Sequence, residues 1–167
     1  SYEELLQAHA RLHNAVYSRM ELKLSDPQAP KSELAEELWE KGRQKLPPNR
    51  YFEVLCDAGR YQVICASGET PPTLQGIWTG TNHVPWSADY TRNGNEQTVI
   101  LSNLPGNMFE CMDSFIRYEE SLIPEERENA RVMYGYPGIL SASRTSSHGL
   151  NNHFSVESVS YTHLRAH

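Results

Sequence analysis

Cysteine is scarce in this 167-residue sequence, and what there is comes unpaired. Cys56, Cys65 and Cys111 are an odd number with no CxxC spacing, which argues against both a disulfide framework and a zinc site. Cys56 and Cys65 fall in an apolar run, where a free thiol serves as a small hydrophobe. Positive charge is also short: 15 Lys and Arg stand against 21 Asp and Glu, for a formal net charge of −6. With no basic patch carrying interleaved aromatics, a nucleic-acid partner is not expected. No apolar run approaches a bilayer span, so no membrane partner is expected, and no signal-peptide pattern opens the chain. Strand-like alternation is missing as well. At 38% hydrophobic and 22% charged residues, the composition is that of a globular domain.

What the sequence does contain is helical period. Leu5, Leu6, His9, Leu12, Val16, Tyr17 and Met20 recur at three- and four-residue spacing, predicting a helix over 1–24 with its apolar face in the core. Ser1 and Glu4 have capping-box spacing. "SDPQAP", residues 25–30, breaks the chain. A second helix is predicted over 32–45, with Leu34, Leu38 and Trp39 on one side and Pro47 and Pro48 stopping it. "NRYFEVLCDAGRYQVICAS" predicts a helix over 50–67 buried on most sides. Gly59 inside it costs about 1 kcal/mol relative to Ala, and a close helix–helix contact is the expected reason. Residues 68–90 form a long loop holding Trp78 and Trp86, and loops of that length tend to be functional. A short helix near 94–102 and a break at "LPGN" follow. Next comes a helix over 107–120 with Phe109, Met112, Phe115 and Ile116 inward, then another opened by Pro124 and closed by Gly135. The remainder is loop-like and polar. The fold class is all-α.

The chemistry concentrates in "VPWSADYTRNGNEQT", residues 84–98, where Asn93 and Asn95 flank a single glycine. Asn-Gly has a plain structural reading, because it is a common tight-turn dipeptide and Asn is a good helix N-cap. The surrounding order supplies a second reading. "YFEVL" and "GRY", then "LQGIW", "PW", "DYT" and "NGNEQ", with "SYEELLQAH" and "ARVMYGYPGIL" outside them, resemble the glycoside hydrolase family 95 catalytic domain over about residues 1–155. The resemblance implies an inverting enzyme of the α-L-fucosidase kind, part of an (α/α)6 toroid, acting on an oligosaccharide or glycan without a cofactor. It also implies that Asn93 and Asn95 position the attacking water. An amide oxygen can accept that water's hydrogen and aim its lone pair, but it cannot keep the proton, so a carboxylate must support it. Asp89 and Glu96 are the local candidates. The family's general acid lies further downstream than this sequence reaches, and Glu110, Glu119 and Glu120 are read as helix-face residues, so no acid is assigned.

Trp86, favoured over Trp78, is the expected sugar-stacking residue, with Asp89, Arg144, Thr145 and His148 as further substrate contacts. The family's "HH" pair near "SASRT" and its "NxQMNYW" helix, here "NEQTVIL", are not reproduced. His9 and His13 have a metal-compatible spacing but no evident third ligand, so no metal is expected. "VSYTHLRAH" has neither apolar period nor capping logic and resembles a translated adapter. The expected organisation is therefore the N-terminal part of a catalytic domain at 1–157 and a non-native tail at 158–167. About six helices would make roughly half a toroid, with marginal stability or aggregation the expected cost. The family suggests a periplasmic or secreted protein; the oligomeric state is not readable. Other readings are a different helical-barrel carbohydrate enzyme (phosphorylase, trehalase or lyase) and a non-catalytic carbohydrate-binding module.

Overall fold

The computed structural model describes residues 1–24 and 34–150. The expected break at 25–30 and the expected tail at 158–167 lie outside the described residues. The chain divides into two compact units, Ser1–Ile64 and a second from Cys65 onward.

The first unit is built on α1 (Tyr2–Tyr17), α2 (Ala35–Gly42) and α3 (Asn49–Ala66). The capping box is present: Glu4 N donates to Ser1 Oγ at 3.4 Å, and the chain's ammonium meets the Glu4 carboxylate at 2.6 Å. Acidic Glu36 and Glu37 open α2 and Lys41 closes it, as the helix dipole favours. Three expectations fail here. The apolar face of α1 is not core, because no residue of α1 is buried and Leu5 is 73% exposed. Nor is α3 buried on most sides: its two buried residues are Glu53 and Arg60. A Cβ added at Gly59 would meet open space, so no close helix contact explains that glycine.

The interior of this unit is organised by charge rather than by an apolar stripe. An α-helix leaves its last carbonyls without intrahelical donors. Arg60 supplies them, donating to the carbonyls of Tyr17 and Met20 at 2.8 Å each and of Val16 at 3.4 Å, with its guanidinium 5.3 Å from the Tyr17 ring centre. Glu53 accepts from Leu24 N at 2.6 Å and from Arg50 Nη1 at 2.9 Å. His13 stacks between aromatics, 5.3 Å from Tyr17 and 5.0 Å from Tyr61.

The second unit carries β1 (Tyr90–Thr91), α4 (Asn95–Ile100), α5 (Phe109–Tyr134) and β2 (Arg144–Thr145). The molecule is mostly helical, as expected, but the loops before α4 and after α5 meet as an antiparallel strand pair, Tyr90 opposite Thr145 and Thr91 opposite Arg144. The two helices expected on either side of Pro124 are one helix of 26 residues. Proline removes one backbone donor, yet the buried residues Cys111, Ser114, Tyr118, Leu122, Glu126 and Asn129 keep a single face straight through it. Packing along that face overrides the break. The inward face was also misassigned, since Phe109 is 57% exposed and Ile116 is exposed too. Gly135 ends α5 in the left-handed region at φ 70°, as the sequence predicted. The chain returning from there is tied down by Asn129 Nδ2, which donates to the carbonyls of Leu140 and Gly149 at 3.3 and 2.7 Å.

These contacts rank two substitutions. Arg60→Ala removes the donor to the Tyr17 and Met20 carbonyls and is expected to lower stability by about 3 kcal/mol. Leu5→Ala, on an exposed face, is expected to stay within about 0.5 kcal/mol. Urea denaturation midpoints compare them; equal losses would contradict this arrangement.

Candidate active site

The site grows out of the turn between β1 and α4. Gly94 sits at φ 131°, a conformation that a residue with a side chain rarely adopts, and it reverses the chain between Asn93 and Asn95. Having no side chain, Gly94 cannot cap α4, and Gln97 does so instead. Gln97 Oε1 accepts from Gly94 N at 2.9 Å while its Nε2 donates to the Arg92 carbonyl at 2.8 Å. Arg92 N donates to the Ser143 carbonyl at 2.8 Å, extending the strand pairing by one residue. The Arg92 side chain, nearly buried, reaches across to α5 and bonds Glu126 through Nη1 and Glu119 through Nη2.

Beside this turn lies a cavity of about 420 Å³ lined by Asn93, Gln97, Phe115 and Glu119 together with Arg92 and Ser141–Ser143. An aromatic edge among amide, hydroxyl and carboxylate groups is the mixed lining that a sugar ring needs. Asn93 lines this cavity and Asn95 does not, although both are exposed. Directly after the pair, Glu96 points inward: it is 5% exposed, and neither carboxylate oxygen has a hydrogen-bond partner among the described residues. Burial, reinforced by the nearby Glu119 charge and only partly offset by Arg92, pushes its carboxyl up to about 7. Burial likewise raises Glu119, outweighing the guanidinium it pairs with.

A second cavity, of about 310 Å³, is lined by Ser87, Asp89, Tyr90, Arg144, Thr145 and Ser147 among others. Asp89 is fully engaged there: Oδ1 accepts from Thr91 Oγ1 at 2.7 Å and Oδ2 from Arg144 Nε. Arg144 also donates to the Trp86 carbonyl at 2.8 Å and stands 5.8 Å from the centre of its ring. Trp86, 68% exposed, rides on a left-handed turn in which Trp86, Ser87 and Ala88 all have φ near +50 to +60°. Such a turn is strained for residues with side chains. Behind the strand pair, Tyr118 donates to the Ser146 carbonyl at 2.7 Å and pairs with Thr145 Oγ1 at 2.8 Å, and its ring packs 4.3 Å from that of Tyr90.

Comparison with known proteins gives this geometry a family. The profile of the glycosyl hydrolase family 95 catalytic domain matches residues 1–165. The chain belongs to glycosyl hydrolase family 95. The family 95 chain is also similar to two proteins named probable alpha-fucosidase A. It is 32% identical over 139 residues to that of Aspergillus niger, covering 81% of this chain and 17% of the relative. It is 29% identical over 143 residues to that of Aspergillus oryzae, covering 83% and 20%. The family 95 chain thus spans about a fifth of the length of these curated relatives.

Of the residues singled out from sequence, the structure brings Asp89, Arg144 and Thr145 together on the second cavity, with Trp86 against Arg144 but outside its lining, and Asn93 onto the first. Asn95 opens α4 and His148 is half-buried; neither lines these two cavities. Glu119, read as a helix-face residue, is instead a cavity wall and an ion-pair partner. Sequence reading missed Gln97, Phe115 and the Arg92–Glu119–Glu126 cluster. Only Gln97 left a local signal, three residues after a glycine at a helix start, which is capping-box spacing.

The Glu96 shift has a sign that can be checked. Its folded value lies above the unfolded 4.5, so stability is full below about pH 4.5 and is lost as pH rises through about 7. The loss amounts to roughly 3 kcal/mol at pH 8. Glu96→Gln should therefore match the wild type near pH 4 and exceed it at pH 8. Carboxyl NMR titration should place the Glu96 midpoint near 7; a midpoint near 4.5 would contradict the burial described.

Proposed function

We propose that this chain carries the water-positioning part of an inverting glycoside hydrolase that acts on α-L-fucosyl or related α-L-glycosidic linkages. Family membership supports the reaction class, and one observation carries the assignment: Asn93 lines a sugar-sized cavity on a main chain fixed at both flanks. Inversion requires a water on the face of the sugar opposite the leaving group. In this reading the carboxamide oxygen of Asn93, assisted by Asn95 once substrate is bound, accepts a hydrogen from that water and directs its lone pair at the anomeric carbon. The amide holds the water without taking its proton.

The two carboxylates nearest the pair in sequence are poorly suited to take that proton. Asp89 is engaged at both oxygens by Thr91 and Arg144, and Glu96 is sealed and neutral up to about pH 7. Glu119 is the carboxylate that shares the cavity wall with Asn93, its Oε2 paired with Arg92; the acid that protonates the leaving oxygen is assigned to a part of the enzyme outside this chain. Trp86, held by Arg144, provides a stacking surface for a neighbouring sugar, with Asp89 and Thr145 on the adjoining cavity. A phosphorolytic reading is disfavoured, because Arg92 and Arg144 are both paired with carboxylates rather than open to phosphate.

In a full-length enzyme that contains this segment, Asn93→Ala should lower kcat on an α-L-fucoside by about 10²-fold or more while the sugar still binds. Trp86→Ala should instead raise KM by about tenfold, the loss of roughly 1–1.5 kcal/mol of stacking. Loss of binding without loss of kcat on Asn93→Ala would favour a carbohydrate-binding module. The isolated 167-residue chain should release no fucose; measurable release would contradict the division of labour proposed here.

A further inference from the structure

A side-chain amide can aim a water only as well as its own main chain is held, and the grip on Asn93 comes from its neighbours. We infer that Gln97 and Arg92 are positioning residues for the reaction: the Gln97 carboxamide staples the peptides on both sides of Asn93, and the Arg92 guanidinium anchors that staple to α5. The inference rests on the reading of Asn93 given above.

Gln97 bonds the carbonyl of the residue before Asn93 and the N–H of the residue after it, at 2.8 and 2.9 Å. Both polar atoms of its side chain are thus bonded to main chain on either side of Asn93, on the wall of the same cavity. The staple itself needs a fixed end. Thr98 supplies one side, its N and Oγ1 donating to the Gly94 carbonyl at 3.0 and 2.7 Å. Arg92 supplies the other. Its N–H is held by Ser143, and its guanidinium is divided between Glu119 and Glu126, seven residues apart on the same face of α5. A planar fork can serve two carboxylates at once, whereas an ammonium is a point charge without that geometry. Asn93 is thus the unstapled residue between two anchored ones, free in its side chain and fixed in its backbone.

The test uses the full-length enzyme containing this segment. Gln97 is exposed, so Gln97→Ala is expected to fold. A displacement on the order of 1 Å at a reacting group costs up to about 10²-fold, so kcat should fall about 30- to 100-fold with KM changed less than about threefold. Gln97→Glu, which keeps the acceptor for Gly94 N–H and loses the donor to Arg92, should fall between. Arg92→Lys should retain more kcat than Arg92→Met. Amide hydrogen exchange at Gly94 should quicken in Gln97→Ala, a local readout that needs no substrate. A kcat within about twofold of wild type for Gln97→Ala would overturn the inference. Asn93→Ala separates the two layers: if it is inactive while Gln97→Ala is unimpaired, the staple alone is wrong, and if Asn93→Ala itself turns over normally, the underlying reading falls.

Discussion

The arrangement of the second unit depends on one guanidinium. Arg92 joins three segments that have no covalent reason to meet: the strand before α4, the middle of α5, and the returning loop that carries β2. Its pairing with Glu126 holds that carboxylate in a closed interior, while Glu119, the second partner, faces the cavity. Removing one partner of a buried pair is costly, about 3–5 kcal/mol, since it leaves the other charge uncompensated. The cluster is thus better understood as a device that specifies geometry than as a source of stability. What it specifies is where Asn93 stands.

Burial, with the Glu119 charge added to it, sets the state of Glu96 beside this cluster. Arg92 is committed to Glu119 and Glu126, so Glu96 stays under the turn with no partner among the described residues and its carboxyl remains neutral into the physiological range. A protonated acid directly beneath the Asn93–Asn95 turn adds no charge to the cavity wall. Asp89 is neutralised differently, by Arg144, which in turn supports the strained turn presenting Trp86. Two arginines, Arg92 tied to Glu119 and Glu126 and Arg144 to Asp89, thus stand beside two cavities next to a four-residue strand pair.

Much of this was legible in sequence, and the failures share a cause. The all-α class, the capping box at Ser1, the Gly135 stop and the family resemblance rest on local chemistry or on ordered motifs, and the structure and the comparisons agree with them. The inward faces were misread because the interior mixes apolar residues such as Leu38, Met108 and Leu122 with buried charges and amides. Glu53 and Arg60 in α3, Glu96 and Asn103 around α4, and Ser114, Glu126 and Asn129 in α5 are all buried, while Leu5, Phe109 and Ile116 are exposed. Hydrophobic period cannot point to those positions of a face that are filled by charges and amides. Pro124 misled for a related reason, since the face continuing through it includes Tyr118, Glu126 and Asn129, whose value as packing residues appears once their partners are known. The Arg92 cluster joins residues 27 and 34 positions apart, beyond any local pattern.

The stereochemistry of the product tests the central claim most directly, because a water held by Asn93 can reach the anomeric carbon from one face alone. Proton NMR of the first turnovers of an α-L-fucoside, followed faster than mutarotation in the full-length enzyme, reads the initial anomer. The β anomer of L-fucose appearing first is the predicted result. Initial release of the α anomer would mean that this water is not the nucleophile, and the account would fail.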